Sequence, residues 1–316
     1  MNYLKYRIPY DLINQKIKEG GYLYLIIQVD LYAIARGFYN RDVILSELNN
    51  YIENKQLPTL LITELKEFLN KLYNGYKRFN PKFIIFYDVG YHKQNISVSS
   101  SYKSNRTNSS KTYFQTDEEK ELFYKIKNYY FEEIYKKFNI SNLCKVIFLE
   151  DYESDFVPYW FIKKYEVARL DKTLNIILSV DKDLLQCCQF KNTFQAISVY
   201  IKSERRIESM LYDDQNAVSF ILKSFKPDGI ITSKYIPLLL AIAGDKNDGI
   251  PGIKKGLGIA NAIKLIKLYN LPSDFNSTMN LPNDIKDYRV KLQTNLDLIS
   301  FERQISRMPD KILSEI

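Results

Sequence analysis

Four apolar, β-prone runs in this 316-residue chain each lead into one or more acidic residues. The runs are residues 22–29, 83–87, 145–149 and 175–180. Runs of this kind suit strands that are buried on both faces. Helices are predicted over 42–54, 59–78, 157–168 and 234–243, and residues 195–201 and 205–211 predict a hairpin at the edge of the sheet. Apolar strands that alternate with helices predict a mostly parallel sheet with helices on both faces. Open α/β sheets place ligands beyond the carboxyl ends of their strands. We therefore expect the acids to meet at one edge of the sheet.

The acids after these runs, together with two further along the chain, form a set of eight carboxylates. The set is Asp30, Asp88, Glu153, Asp155, Asp181, Asp183, Asp245 and Asp248. Neighbouring carboxylates raise one another's pKa, so a shared cleft needs cations. The chain has a single histidine and no cysteine spacing typical of zinc, so oxygen ligands predict a hard ion, Mg²⁺ or Mn²⁺. Two such ions can activate water and stabilise the leaving oxygen of a phosphodiester, so the pattern indicates hydrolysis.

Each acid also has a local explanation when it is taken singly. Asp30 and Asp88 suit turns, Asp155 suits a helix N-cap, and Asp181 with Asp183 suits an Asx turn followed by a cap. It is their repetition at successive strand ends that favours a shared site.

Residues 240–266 combine two of these acids with a glycine-rich run and then an apolar, helix-like run. The glycines and lysines of this stretch are Gly249, Gly252, Lys254, Lys255, Gly256 and Gly258. Glycines let a backbone come close to a phosphate, the lysines add a positive field, and a helix beginning near Gly258 would point its amides at the same anion. The stretch predicts a phosphate-binding segment, and a glycine-rich loop between two helices is the alternative.

A basic, serine-rich stretch from 89 to 116 contains no acid. Its basic residues are Lys93, Lys103, Arg106 and Lys111. Such a stretch buries little apolar surface, so we expect it to be mobile in the free protein and to thread or clamp a single strand. A solvated loop is the alternative. An amphipathic helix is predicted over 118–138, with an apolar stripe that suits core packing.

Composition adds weaker constraints. The formal net charge of +8 suggests a polyanionic partner. Three cysteines, two of them adjacent, indicate a reducing compartment and no structural zinc. No signal-peptide pattern and no apolar run long enough to span a bilayer are visible, so a cytoplasmic protein is expected, in the host cytoplasm if the source is viral.

The motifs appear in an order that resembles one family. They are Asp30, Asp88, Glu153-Ser154-Asp155, Asp181-Lys182-Asp183-Leu-Leu-Gln, and Gly244-Asp245-Lys-Asn-Asp248-Gly-Ile-Pro-Gly. From about residue 22 to 270 this order is similar to the structure-specific 5' nucleases, which are 5'-to-3' exonucleases and flap endonucleases, and most of all to their T-even bacteriophage branch. The resemblance implies a PIN-like 5' nuclease core, a helical-arch insertion and a helix-three-turn-helix.

The resemblance also implies roles for individual residues. Asp88, Glu153 and Asp155 would hold a first metal ion with Asp30 behind them, and Asp181, Asp183, Asp245 and Asp248 would serve a second. Lys103 and Arg106 would begin the arch and contact the scissile phosphate. DNA contacts are expected from Arg36, Lys93 and Lys111 and from the glycines and lysines of 249–258, with a further K⁺ ion at the helix-three-turn-helix. Phe156 departs from the family, which usually has an acid there, and this puts the second metal in question.

The predicted division is a catalytic core over 1–212, with the arch at about 90–138, and a helical region over 213–316, with the helix-three-turn-helix at about 240–270. The predicted activity is metal-dependent hydrolysis of flap DNA or of RNA primers on DNA during phage-type replication. Expected partners are branched or 5'-ended DNA, RNA/DNA hybrid, and a single-strand-binding protein or sliding clamp, with no membrane and a monomeric state. The alternatives are a PIN-type ribonuclease, which lacks the glycine-rich and basic insertions, and a catalytically impaired junction-binding protein, suggested by Phe156.

Overall fold

The computed structural model describes most of the chain outside the basic insertion. The described residues are 8–17, 20–29, 46, 49–50, 53–54, 59–88, 93–99, 102, 132–133, 135–139, 142–149, 152–169, 172–201, 206–222, 229–276, 281–283 and 285–316. The helix predicted over 42–54 falls largely outside this part of the chain, as does most of the one predicted over 118–138, although 132–133 and 135–138 are helical.

A six-stranded sheet forms the centre of the fold. Its strands are β1 (Tyr22–Gln28), β2 (Pro81–Asp88), β3 (Cys144–Leu149), β4 (Thr173–Leu178), β5 (Thr193–Ile201) and β6 (Arg206–Tyr212). The order across the sheet is β3-β2-β1-β4-β5-β6, and every pair is parallel except the hairpin of β5 with the edge strand β6. The predicted fold class, the four predicted strands and the edge hairpin are thereby confirmed.

The helices pack on both faces of the sheet and extend beyond β6. They are α1 (Tyr10–Lys16), α2 (Thr59–Tyr76), α3 (Lys93–Val98), α4 (Val157–Arg169), α5 (Ala217–Ile221), α6 (Ile236–Ala243), α7 (Ile259–Tyr269), α8 (Arg289–Ile299), α9 (Phe301–Ser306) and α10 (Asp310–Glu315). The helices predicted over 59–78, 157–168 and 234–243 are confirmed. The six-residue α3 lies where the sequence favoured a mobile stretch.

Alternation along β1 shows why helices cover both faces. Leu23, Leu25 and Ile27 enter one hydrophobic cluster with Leu65 and Leu69 of α2. The intervening Tyr24 and Ile26 enter a second cluster with residues of α4, α9 and α10. Because successive side chains of a strand point to opposite faces, a fully apolar strand needs cover on both sides.

A third cluster joins the sheet edge to the helical region after residue 212. It contains Leu185 and Ile197 together with most of α6 and with buried residues of α7 and α8. Hydrophobic contacts thus cross the predicted boundary at 212, and the division into two parts stays a prediction. Within the described residues, no helix is long and apolar enough to cross a membrane.

Candidate metal and nucleic-acid site

An acidic cavity of about 400 Å³ lies beyond the carboxyl ends of the strands. Its acidic lining residues are Glu153, Asp155, Asp181, Asp183 and Asp248. Glu153 and Asp155 follow β3, and Asp181 and Asp183 follow β4, which lies further across the sheet beyond β2 and β1. The fold therefore brings together acids that lie almost 100 residues apart in the chain.

Three of the acids form a compact group, which we call the acidic triad. Asp183, Asp245 and Asp248 each offer a carboxylate oxygen, and these oxygens lie within 4.8 Å of one another. Asp245 is held by its place in the two-residue strand β7 (Gly244–Asp245) and by the backbone N–H of Asn247, which donates to Asp245 Oδ1 at 3.0 Å. Oxygen ligands at this spacing suit a divalent cation.

Asp181 serves a local structural purpose beside the triad. Its Oδ1 accepts a hydrogen bond from the backbone N–H of Asp183 at 3.0 Å, which caps the 3₁₀ helix Lys182–Gln189. The cap agrees with the local explanation of these two acids. It also fixes the chain direction that carries Asp183 into the cavity, so the local explanation and the shared site hold together.

The surroundings of Asp183 disfavour the negative charge of its carboxylate. Burial raises its pKa well above the ordinary value, and negatively charged Asp181 raises the pKa further, while Lys182 lowers it. Its Oδ1 is buried and accepts no hydrogen bond from the described residues. Lys182 Nζ lies 3.6 Å from this oxygen, too far for a hydrogen bond, so the oxygen can still coordinate an ion and the triad fits a hard divalent metal ion.

Lys182 is a site residue that the sequence analysis missed. Its Nζ donates to Asp245 Oδ2 and lies 3.6 Å from Asp183 Oδ1. Burial lowers the pKa of Lys182, but Asp183 and Asp245 raise it more, so the net pKa lies above the ordinary value and the ammonium stays charged. The lysine was visible only as the middle residue of the Asp-Lys-Asp motif.

Glu153 is held by two donors from the region that enters the basic insertion. Asn95 Nδ2 donates to Glu153 Oε2 at 2.6 Å, and the Tyr102 hydroxyl lies 2.9 and 3.0 Å from the two carboxylate oxygens. Burial raises the pKa of Tyr102 far above its ordinary value, and the negative charge of Glu153 raises it further, so the phenol remains a donor. These contacts orient Glu153 toward the cavity.

Gln28 links the acids on the two sides of the site. Its Nε2 donates to Asp155 Oδ1 at 2.9 Å, and its Oε1 accepts a hydrogen bond from the Ser179 hydroxyl. The Ser179 oxygen in turn accepts from the backbone N–H of Asp181 at 3.0 Å. One amide at the end of β1 therefore sets the relative position of two acidic segments.

We predict that Gln28→Met weakens divalent-metal binding by roughly 10- to 100-fold, because Met has a similar volume but cannot orient Asp155. Isothermal titration with Mn²⁺ measures the change. Gln189→Met is the matched control, because Gln189 is exposed and its side-chain amide donates to the nearby Gln186 carbonyl, away from the acids. Equal affinities for the Gln28 variant and the wild type would show that this link does not position the metal ligands.

Phe156 is fully buried and does not line the cavity. Its ring belongs to the hydrophobic cluster on the face of the sheet that packs against α4, together with Tyr24 and Ile26. The exchange of the family's acid for Phe156 therefore does not alter which described acids line the cavity.

Several predicted site residues lie outside the described part of the chain. They are Asp30, Arg36, Lys103, Arg106 and Lys111. Asp88 ends β2, where its backbone pairs with Leu149, but its side chain lies outside the described part of the structure. The same holds for the side chain of Lys93, which begins α3.

The glycine-rich segment runs between α6 and α7, and its glycines differ in what surrounds them. A Cβ on Gly252 would lie 2.5 Å from the carbonyl oxygen of Ala243, so Gly252 is required by packing. Gly249 and Gly256 have φ angles of +71° and +82°, which favour glycine. A Cβ on Gly258 would meet nothing within 4 Å.

Gly258 is the N-cap of α7, with the exposed Lys254 and Lys255 a few residues before it. No side chain caps α7, so its first amides have no side-chain acceptor from the cap residue. This end of the helix, with two nearby ammonium groups, has the form of an anion-binding surface.

Comparison with solved structures shows the fold of a phage 5' nuclease. The chain aligns with the bacteriophage T5 flap endonuclease, solved with DNA and metal ions, at a TM-score of 0.60 and 17% identity over 92% of this chain and 96% of that one. It aligns with the T5 5'-exonuclease with bound zinc at a TM-score of 0.54 and 18% identity, over 93% and 92% of the two chains. The predicted resemblance is confirmed at the level of the fold.

Two curated proteins are similar in sequence, and no family model matches the chain. DNA polymerase I of Caldicellulosiruptor bescii is 27% identical over 177 residues, which is 56% of this chain and 18% of the polymerase. DNA polymerase I of Borreliella burgdorferi is 30% identical over 135 residues, which is 43% of this chain and 13% of the polymerase. The matched part spans less than a fifth of either polymerase.

Proposed function

We propose that the protein is a divalent-metal-dependent, structure-specific 5' nuclease, acting as a 5'-to-3' exonuclease and flap endonuclease. The observation that carries the proposal is the acidic triad, of which Asp183 and Asp248 line the same cavity as Glu153 and Asp155. The fold shared with the T5 flap endonuclease supports the same activity. The substrates proposed are 5'-ended or branched DNA and RNA primers on DNA.

The metal ligands proposed for one ion are Asp183, Asp245 and Asp248, with Asp181 beside them. Glu153 and Asp155, with Asp88 and Asp30, are the ligands proposed for a second. Mg²⁺ or Mn²⁺ suits these oxygen ligands, and such ions supply an activated water and charge neutralisation at a phosphodiester. The two T5 structures were solved with metal ions, which supports metal use here.

The chain's own residues supply positioning. Asn95 and Tyr102 hold the Glu153 carboxylate, and Gln28 holds Asp155, so these ligands are ordered before an ion enters. The roles proposed for Lys103 and Arg106 are to contact the scissile phosphate. Preordered carboxylates lower the cost of organising the site at the moment of reaction.

Duplex DNA is proposed to bind at the helix-three-turn-helix between α6 and α7. The proposal rests on the start of α7, which has no side-chain cap, and on the exposed Lys254 and Lys255. A K⁺ ion in the same segment is part of the proposal, as are further DNA contacts from Arg36, Lys93 and Lys111. A single-strand-binding protein or sliding clamp is the proposed protein partner, and the host cytoplasm is the proposed compartment.

We predict that the double variant Lys254→Gln, Lys255→Gln makes the salt dependence of binding shallower. The negative slope of log affinity against log salt should decrease in magnitude by about 0.9 for each phosphate that the protein no longer neutralises. Fluorescence anisotropy of a labelled duplex over a salt series measures the slope. The control is Lys66→Gln with Lys71→Gln, which removes the same charge from exposed positions of α2. Equal slopes for both double variants would contradict an interaction of Lys254 and Lys255 with phosphates.

The activity is tested with a panel of 5'-labelled substrates in Mg²⁺ or Mn²⁺, with EDTA as the metal-free control. We expect cutting of the flap duplex and of a primer on DNA, and little cutting of single-stranded RNA. Preferential cutting of single-stranded RNA would favour a PIN-type ribonuclease. Tight flap binding without cutting in either metal would favour a junction-binding protein.

A further inference from the structure

Lys182 lies among the carboxylates of the acidic triad. Its Nζ donates to Asp245 Oδ2 and stands 3.6 Å from Asp183 Oδ1. The lysine side chain is 24% exposed, whereas that of Asp245 is 5% exposed. A positive group therefore contacts two of the carboxylates that are the proposed metal ligands.

The position of Lys182 is set by two separately fixed segments. The Asp181 cap makes Lys182 the first residue of its 3₁₀ helix, directly before Asp183. Asp245 is fixed 63 residues later by the pairing of β7 with β8 (Ile250–Pro251) and by the Asn247 amide. Their contact is therefore a consequence of the fold.

We propose that Lys182 is a tethered counter-cation of the acidic triad, which neutralises the triad in the metal-free protein and competes with a divalent ion for Asp183 and Asp245. The inference rests on the proposed function, because it takes the triad as metal ligands. A divalent ion and an ammonium repel each other when they share the same carboxylate oxygens, so metal binding must displace the lysine. Lys182 thereby lowers metal affinity and stabilises the metal-free fold.

The test is isothermal titration with Ca²⁺ at pH 8, combined with thermal unfolding in EDTA, and neither readout requires cutting. We expect Lys182→Met to bind Ca²⁺ roughly 10- to 100-fold more tightly than the wild type, because one opposing charge is removed at close range. Its Tm in EDTA should fall by several degrees and recover in saturating Ca²⁺. Lys182→Arg keeps the charge and should retain an affinity close to that of the wild type.

Two further variants separate the ways in which the inference can fail. Lys246→Met removes an exposed charge one residue from Asp245 and should change Ca²⁺ affinity by less than about threefold, because an exposed charge is screened. A similar gain for Lys246→Met and Lys182→Met would overturn the inference in favour of a general charge effect.

Asp245→Asn should abolish triad binding. If that variant loses Ca²⁺ while Lys182→Met binds no more tightly than the wild type, the counter-cation role is wrong and the metal site stands. If the wild type and Lys182→Met both fail to bind Ca²⁺, Mg²⁺ and Mn²⁺, the metal site is wrong and the inference falls with it.

Discussion

Asp183→Asn should lower the rate of flap cleavage about a thousandfold or more, because a metal ligand becomes a neutral amide at the centre of the acidic triad. Affinity for the flap duplex should stay within about threefold, because only one buried charge is altered and the basic surface is untouched. Single-turnover cleavage with a 5'-labelled flap measures the rate, and anisotropy in Ca²⁺ measures the affinity.

The same variant should keep or raise thermal stability in EDTA. The pKa of Asp183 is raised in the folded protein, chiefly by burial and next by Asp181. At a pH between the ordinary aspartate pKa of the unfolded state and the raised pKa of the folded state, the folded protein holds a proton that the unfolded protein has lost. Stability therefore falls as the pH rises from the first pKa to the second. An amide removes that cost, so the Tm of Asp183→Asn should rise relative to that of the wild type as the pH increases above the ordinary pKa of aspartate.

Together these two readouts separate a lost catalyst from a damaged fold. Asp213→Asn is a control that changes a carboxylate with a structural task, because Asp213 Oδ1 accepts the backbone N–H groups of Gln215 and Asn216. It should reduce Tm modestly and leave cutting per folded molecule unchanged. Wild-type cutting by Asp183→Asn would show that the triad does not hold the catalytic metal.

Gly252→Ala should destabilise the protein by about 2–4 kcal/mol, because a new Cβ would stand 2.5 Å from the Ala243 carbonyl oxygen and the obstructing atom is backbone. The close approach is mutual, since a Cβ on Gly244 would stand 2.2 Å from the Gly252 nitrogen. We expect weaker pairing of β7 with β8, and with it a displaced Asp245. Chemical denaturation measures the free energy of unfolding, and Mn²⁺ titration measures the effect on the triad.

Gly258→Ala is the matched variant in the same segment. Its Cβ would enter open space, and the backbone there is extended, with φ of −79°, so the cost should be below about 1 kcal/mol. If the start of α7 approaches DNA phosphate, this variant should bind duplex more weakly while remaining folded. Equal stability losses at Gly252 and Gly258 would contradict the packing explanation.

The main features of the fold follow from patterns that are local in the sequence. The run at 22–29 is apolar at nearly every position, so it must be buried on both faces, and β1 is. Because parallel strands end at one edge, the convergence of Glu153 with Asp183 follows from the strand assignment alone. The hairpin of β5 and β6 could also be predicted from the sequence, because two β-prone runs are separated there by a polar turn.

The finer structure of the site depends on contacts between residues far apart in the chain. Nothing near Gln28 in the sequence indicates that its amide bonds Asp155, which lies 127 positions away. Asn95 reaches Glu153 only because α3 forms within a stretch that composition favoured as mobile. Gly252 looks like a phosphate-binding glycine, yet its need for a small residue comes from the backbone of α6.

The metal site is tested most directly by an anomalous difference map from crystals grown with Mn²⁺. We expect a peak at about 2.0–2.6 Å from carboxylate oxygens of Asp183, Asp245 and Asp248, with Lys182 Nζ moved away from Asp245. A second peak is expected beside Glu153 and Asp155. A map with no peak in this cavity at saturating Mn²⁺ would contradict the metal site and, with it, the proposed nuclease.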